Sequence, residues 1–338
     1  FTPDYAAIAE HAKTATVVHI QRSRGYTQRN AFDLDTIQKV ADTARKANPD
    51  VVIFVDNCYG EFTQIREPLS AGADVIAGSF IKNPGGGITP TGGYIAGNAN
   101  LVEKISPRFT APGIGKDLGC TQDSLRDTFL GFYYAPGVVC EALKTAVYAQ
   151  CLLELVGVNP VPRYTADHND IVTCFDSGSA AALQGFCAGI QSCSPVDSFV
   201  SPEPADEPGY TDQVIMASGS FTEGSTIEIS CDGPLRAPYT CYLQGGVNFT
   251  AGRAAVKHVH RRHFALGLQH DHTGRLPRPH RGQRFQYFGL GRDRITEIAV
   301  ATAAHGGFGH HFVPFHQSYL FHTSFLINQT PGFFAGKP

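Results

Sequence analysis

Two residues stand where open α/β sheets carry out chemistry. Asp56 closes the apolar run VVIFVD (51–56), and Lys82 follows the apolar run in GADVIAGSF (72–80) and precedes the turn NPGGG (83–87). An acid ending one strand and an amine ending the next share the carboxyl edge of a parallel sheet, where ligands of such folds bind. An amine in a partly desolvated pocket suits carbonyl chemistry through a Schiff base. A carboxylate against a pyridine nitrogen keeps that nitrogen protonated, so the ring accepts a carbanion's electrons. Together Asp56 and Lys82 point to pyridoxal phosphate. A free lysine with a pKa near ~10.4 is a poor base at neutral pH, so burial and covalent engagement are expected to lower it.

The flanking pattern supplies the elements that hold this pair. VVHIQRSRGY (17–26) reads as a strand running into Arg22, Ser23 and Arg24. DLDTIQKVADTARKANPD (33–50) has apolar Ile37, Val40, Ala41 and Ala44 at helical spacing, with an acidic first turn that suits the helix dipole. The run VVIFVDN that follows reads as a parallel strand covered on both faces. GGYIAG (92–97) reads as the return strand of a hairpin, and glycines after Lys82 let backbone approach a ligand closely. A long helical pattern over 122–155 is broken by Pro136 and links to a smaller unit after the proline-rich boundary PVPRYTADH. There IVTCFDSG, a helix over 179–191, VIMASGSF, STIEIS and YTCYLQGG predict a small α/β domain with a mostly antiparallel sheet. The predicted units are a large domain with linking helix (1–157), a small domain (158–253) and an atypical tail (254–338).

Composition sharpens the tail's oddity. Residues 1–256 hold 17 Lys or Arg against 27 Asp or Glu, whereas 257–338 hold 10 against 3 and 11 of the 14 histidines. That onset, with no hydrophobic period, suggests a shifted reading frame. The nine cysteines form no CxxC pair, which fits reduced thiols and a cytoplasmic protein better than a disulfide framework or zinc site. No metal site is expected from the histidine pairs 258/260, 270/272 and 310/311, since no carboxylate or cysteine framework accompanies them. GIGKD (113–117) lacks the residues of a phosphate-binding P-loop. The tail's basic residues lack the helix or aromatic-studded sheet of a nucleic-acid binder, and no apolar run is long enough to span a membrane. Arg24 and Arg236 are candidates for a substrate carboxylate, because a guanidinium fork matches it bidentately; a structural ion pair is the competing reading for each. Tyr59 reads as a packing residue.

The segments VDNCYGEF, GADVIAGSFIKNPGGGITPTGGYIAG, APGIGK and DGPLRAPYTCYLQGG resemble the pyridoxal-phosphate proteins of the cystathionine β-lyase or methionine γ-lyase-like family associated with aluminium resistance. The likeness runs to about residue 253. It implies an aspartate-aminotransferase-like α/β fold (fold type I), with an N-terminally incomplete large domain and a small C-terminal domain. It implies Lys82 as the cofactor-bearing lysine, Asp56 as the pyridinium partner and Ser79 as a phosphate ligand in S-x-x-K. Ile81 stands where the better-known cystathionine lyases have Thr. The implied reaction is β- or γ-elimination from a small sulfur-containing amino acid, in a homodimer or homotetramer. Relatives carry an amino-terminal segment that binds the phosphate and stacks on the cofactor, so this chain is expected to bind the cofactor weakly or not at all. The alternatives are a catalytically dead fragment or metal-tolerance binding protein, and an aminotransferase of the same fold.

Overall fold

The computed structural model describes residues 2–109, 123–222 and 224–260. The chain opens with helix α1 (Tyr5–Ala12), whose first turn is capped by the Asp4 carboxylate accepting from the Ala7 amide. Strand β1 (Val17–Gln21), helix α2 (Leu34–Ala47) and strand β2 (Val52–Asp56) follow. Asp33 caps α2, and Leu34, Ile37, Val40, Ala41 and Ala44 form its buried stripe. Strands β3 (Val75–Ser79) and β4 (Gly93–Gly97) complete a sheet of order β1-β2-β3-β4. The first three strands are parallel and β4 returns antiparallel. The carboxyl ends of β1, β2 and β3 therefore lie on one edge, which carries Arg22, Asp56 and Ser79.

Burial within β2 alternates: Ile53 and Val55 are fully buried against α2, while Val52, Phe54 and Asp56 are half-buried. The expectation of equal cover on both faces is corrected on this point. The half-buried face carries Phe54 stacked on His19, with ring centroids 5.0 Å apart.

Helix α3 (Ala99–Phe109) follows β4, and α4 (Leu125–Leu155) runs 31 residues without the predicted break at Pro136. Tertiary packing outweighs the lost backbone donor there. Gly131, Ala135 and Pro136 are buried, and the helix lies so close to the turn after Lys82 that a Cβ on Gly131 would sit 2.2 Å from the Gly85 carbonyl oxygen. The other end of α4, from Tyr148 to Leu153, enters the core of a second sheet.

That sheet is antiparallel throughout, in the order β5-β8-β7-β6: β5 (Thr173–Asp176), β6 (Val214–Ala217), β7 (Ser230–Pro234) and β8 (Thr240–Gln244). Helix α5 (Ala180–Gln191) and helix α6 (Phe249–Val259) cover its apolar face, where Phe175, Cys231, Cys241 and Leu243 are buried. STIEIS (225–230) is not a strand. Its isoleucines at 227 and 229 are buried, but pairing begins only at Ser230, where the chain reaches the edge of β8. Helix α6 crosses the expected boundary at residue 253 and buries Ala255, Val256 and Val259. The reading of the tail from 261 onward, and of GIGKD, falls outside the described residues.

Candidate functional site

Strand β2 delivers Asp56 and then turns sharply. Asp56 Oδ1 accepts from the Cys58 amide at 3.1 Å, and Tyr59 and Phe62 take left-handed conformations at φ 69° and 61°. Bulky residues avoid this region at a cost of about 1–2 kcal/mol each, so the surrounding structure imposes the turn. One product of it is the position of Tyr59, whose ring lies 4.8 Å below Lys82 Nζ. Tyr59, read from sequence as a packing residue, is thus a cation–π partner of the lysine. Ser79 closes β3 opposite Gly93, and its carbonyl accepts the Lys82 amide at 3.3 Å. Asp56, Ser79 and Lys82 share one edge through the sheet register and this backbone bond.

Burial pushes the Lys82 ammonium down and the neighbouring acidic groups, Tyr59 first, then Cys58, Asp56 and Glu61, push it up as they ionise, with the balance upward. The expected lowering by burial is corrected for the free amine. Burial pushes the Cys58 thiol and the Tyr59 hydroxyl up to about 12, so neither carries charge at neutral pH.

Behind this edge lies a buried polar cluster. Arg22 is fully buried and donates to Asn57 Oδ1 (2.7 Å), the Gly60 carbonyl (3.0 Å) and Gln64 Oε1 (2.8 Å), with Glu67 Oε2 at 3.5 Å. Glu61 lies inside it, accepting from the Tyr94 hydroxyl at 2.9 Å. Gly78 makes room, since a Cβ there would sit 2.3 Å from Glu61 Oε1.

The second sheet adds a residue that the sequence reading missed. Asp232 on β7 accepts from the Tyr26 hydroxyl and from Gln244 Nε2, the latter at 2.9 Å, and feels the Lys82 charge. Burial pushes its carboxyl up against these influences. Nothing in DGPLRAPY separates Asp232 from a turn aspartate. Its role arises from the pairing of β7 with β8 and from Tyr26, more than 200 residues earlier.

The two arginine candidates diverge. Arg24 forms a two-pronged pair with Asp170, both contacts at 3.1 Å, and donates to the Val161 carbonyl at 2.7 Å and to Cys174. Its fork is filled and buried, so the reading of Arg24 as a substrate ligand gives way to the structural ion pair. Arg236 is half-exposed and pairs with Asp212 at 3.1 Å. It also lines a cavity of about 310 Å³ with Tyr26, Gln28, Thr240 and Tyr242. Tyr26 is common to this cavity and to the Asp232 contact.

The residues fit a cofactor of the expected chemistry. An acid, an amine and a hydroxyl share one edge, and Asn83 Oδ1 and Ser225 Oγ, in or beside the lysine turn, are buried oxygens without a partner among the described residues. The segment holding Ser225 touches that turn, since a Cβ on Gly224 would lie 3.5 Å from Ile81. Among the described residues no group of three His, Cys, Asp or Glu converges to hold a metal ion, and no helix is long and apolar enough to cross a membrane.

A family model described as methionine gamma-lyase matches residues 2–263. A carbon-sulfur lyase involved in aluminum resistance from Clostridium novyi NT is 44% identical and superposes with a TM-score of 0.72, covering 77% of this chain and 61% of its own. YnbB of Bacillus subtilis (strain 168) is 42% identical over 254 residues, 75% of this chain and 60% of YnbB. The chain therefore spans about three fifths of the length of these relatives. L-threonine transaldolase from Pseudomonas fluorescens, 12% identical at a TM-score of 0.50, shares the fold across 78% of this chain and 54% of its own.

Proposed function

Because the chain belongs to the methionine gamma-lyase family, we propose that it serves a carbon–sulfur lyase activity that uses pyridoxal 5'-phosphate to eliminate a thiol from a small sulfur-containing amino acid. Its fold is of the aspartate-aminotransferase type. The observation that carries the proposal is the meeting of Asp56 and Lys82 at one sheet edge, with Tyr59 under the amine.

The cofactor's ring withdraws the electrons left on the substrate's α carbon when its proton departs. Asp56 would face the pyridine nitrogen and Ser79 would donate its hydroxyl to the phosphate. Lys82 Nζ would take the α proton as a free neutral amine, a form that its raised proton affinity opposes. Arg236 would hold the substrate carboxylate at the cavity it lines. For a β substituent the balance is cysteine conjugate plus water giving thiol, ammonia and pyruvate.

The chain by itself is expected to take up pyridoxal phosphate weakly at best; with the cofactor in large excess and cysteine S-conjugates, any turnover is expected to release thiol and ammonia together, and Lys82→Ala to abolish it. Formation of a new amino acid from an added keto acid would instead assign an aminotransferase. We also propose self-association as a homodimer or homotetramer, supported by the exposed Leu125, Phe129, Tyr133 and Tyr134 on the first turns of α4. Sedimentation of the full chain is expected to give more than a monomer's mass.

A further inference from the structure

Two carboxyl groups, Glu61 and Glu67, share one guanidinium inside the protein. Glu67 takes it: Arg22 Nη1 lies 3.5 Å from Glu67 Oε2, and that carboxylate also accepts from Asn57 Nδ2 at 3.0 Å and from the Phe62 amide at 3.0 Å. Glu61 has no such set. It is 3% exposed, Oε1 accepts one hydroxyl from Tyr94, and Oε2 has no partner among the described residues. An ionised carboxylate with a bare oxygen in such a place is costly to bury, so the group keeps its proton.

The backbone around Glu61 is tied to the lysine. The left-handed Tyr59 and Phe62 bracket it, and Tyr59 reaches under Lys82. The Glu61 carbonyl accepts from Asn83 Nδ2 at 3.0 Å, and Asn83 directly follows Lys82. The carboxyl end of the residue is pinned to β4 by Tyr94 and passes through the gap left by Gly78 on β3.

We propose that Glu61 is a positioning residue for Lys82, an uncharged buried carboxyl that fixes the turn beneath the amine. The inference rests on the reading of Lys82 as the reactive amine. Burial, with the charge of Glu67 adding to it, pushes the Glu61 carboxyl up to about 8, against the pull of its own backbone amide, Tyr94 and Arg22. The charged and titratable groups facing it are Arg22 from β1, Cys58 from the turn after β2, Glu67, Lys82 and Tyr94 from β4. In mild alkali Glu61 ionises, places a negative charge near Lys82 and holds the lysine's proton more tightly.

The test needs no cofactor. Full-length protein is labelled with an amine-acylating reagent across pH 6–11, and modification at Lys82 is followed by peptide mass spectrometry. Glu61→Gln is expected to accelerate Lys82 labelling at pH 9–10 by about threefold, the effect of removing about half a unit of proton affinity. Tyr94→Phe, which leaves Glu61 ionisable but removes the hydroxyl that pulls it down, is expected to keep an inflection and to move it above the parent's. An infrared difference spectrum between pH 6 and pH 9 is expected to show loss of a protonated carboxyl band that Glu61→Gln lacks. Identical Lys82 profiles in parent and Glu61→Gln, or the absence of that band, overturn the proposal. Failure of thiol release with these results intact would count against the lyase reading alone.

Discussion

At the scale of single residues, one buried ion pair holds distant parts of the chain together. Arg24 and Asp170 are both almost fully buried and satisfy one another. Changing Arg24 to Met leaves Asp170 buried without its partner, and the expected loss is about 3–5 kcal/mol in denaturant unfolding. A double change of both residues to apolar ones of similar volume is expected to recover much of that loss. Glu61 gives a prediction of a different sign. Its folded value of about 8 lies above the ordinary 4.5, so the fold binds the proton more tightly than the unfolded chain. The stability this confers is complete below about 4.5 and is lost as pH rises toward 8. Glu61→Gln does not titrate, so its stability relative to the parent is expected to rise between pH 5 and pH 8, by on the order of 3 kcal/mol at most. Parallel unfolding curves for the two proteins at both pH values would exclude it.

The elements show why half of the site could be read from the sequence and half could not. Asp56 and Lys82 are visible because each ends an apolar run, and strand ends are local in the chain. Arg24 is visible as a residue type, but Asp170, 146 positions later, decides what it does. Asp232 gains its meaning from Tyr26 and Gln244, and Glu61 from Tyr94 and Gly78, none of which local pattern connects. The predicted break at Pro136 failed for the same reason: propensity is local, and the packing of α4 on the lysine turn is not. That packing can be tested with two glycines on one helix. Gly131→Ala would press a Cβ to within 2.2 Å of the Gly85 carbonyl, and about 1–3 kcal/mol of destabilisation is expected. Gly137 has nothing within 4 Å, so Gly137→Ala is expected to stabilise by about 0.5–1 kcal/mol through helix propensity. Melting temperatures of the two variants moving in the same direction would contradict this account.

Across the whole molecule, the lysine edge and the second sheet meet through Tyr26, Asp232 and the Arg24–Asp170 pair. The site therefore depends on contacts of long sequence separation, which form late and slowly relative to local helices. Helix α4 sets a further constraint. Its Gly131 is wedged against the turn that holds Lys82, and its Tyr148–Leu153 end is embedded in the other core. A rigid rod clamped at both ends transmits displacement. Any displacement of the second sheet must be absorbed by slip at Gly131 or passed to the turn that follows Lys82. The helix thus couples the second core to the turn that follows Lys82.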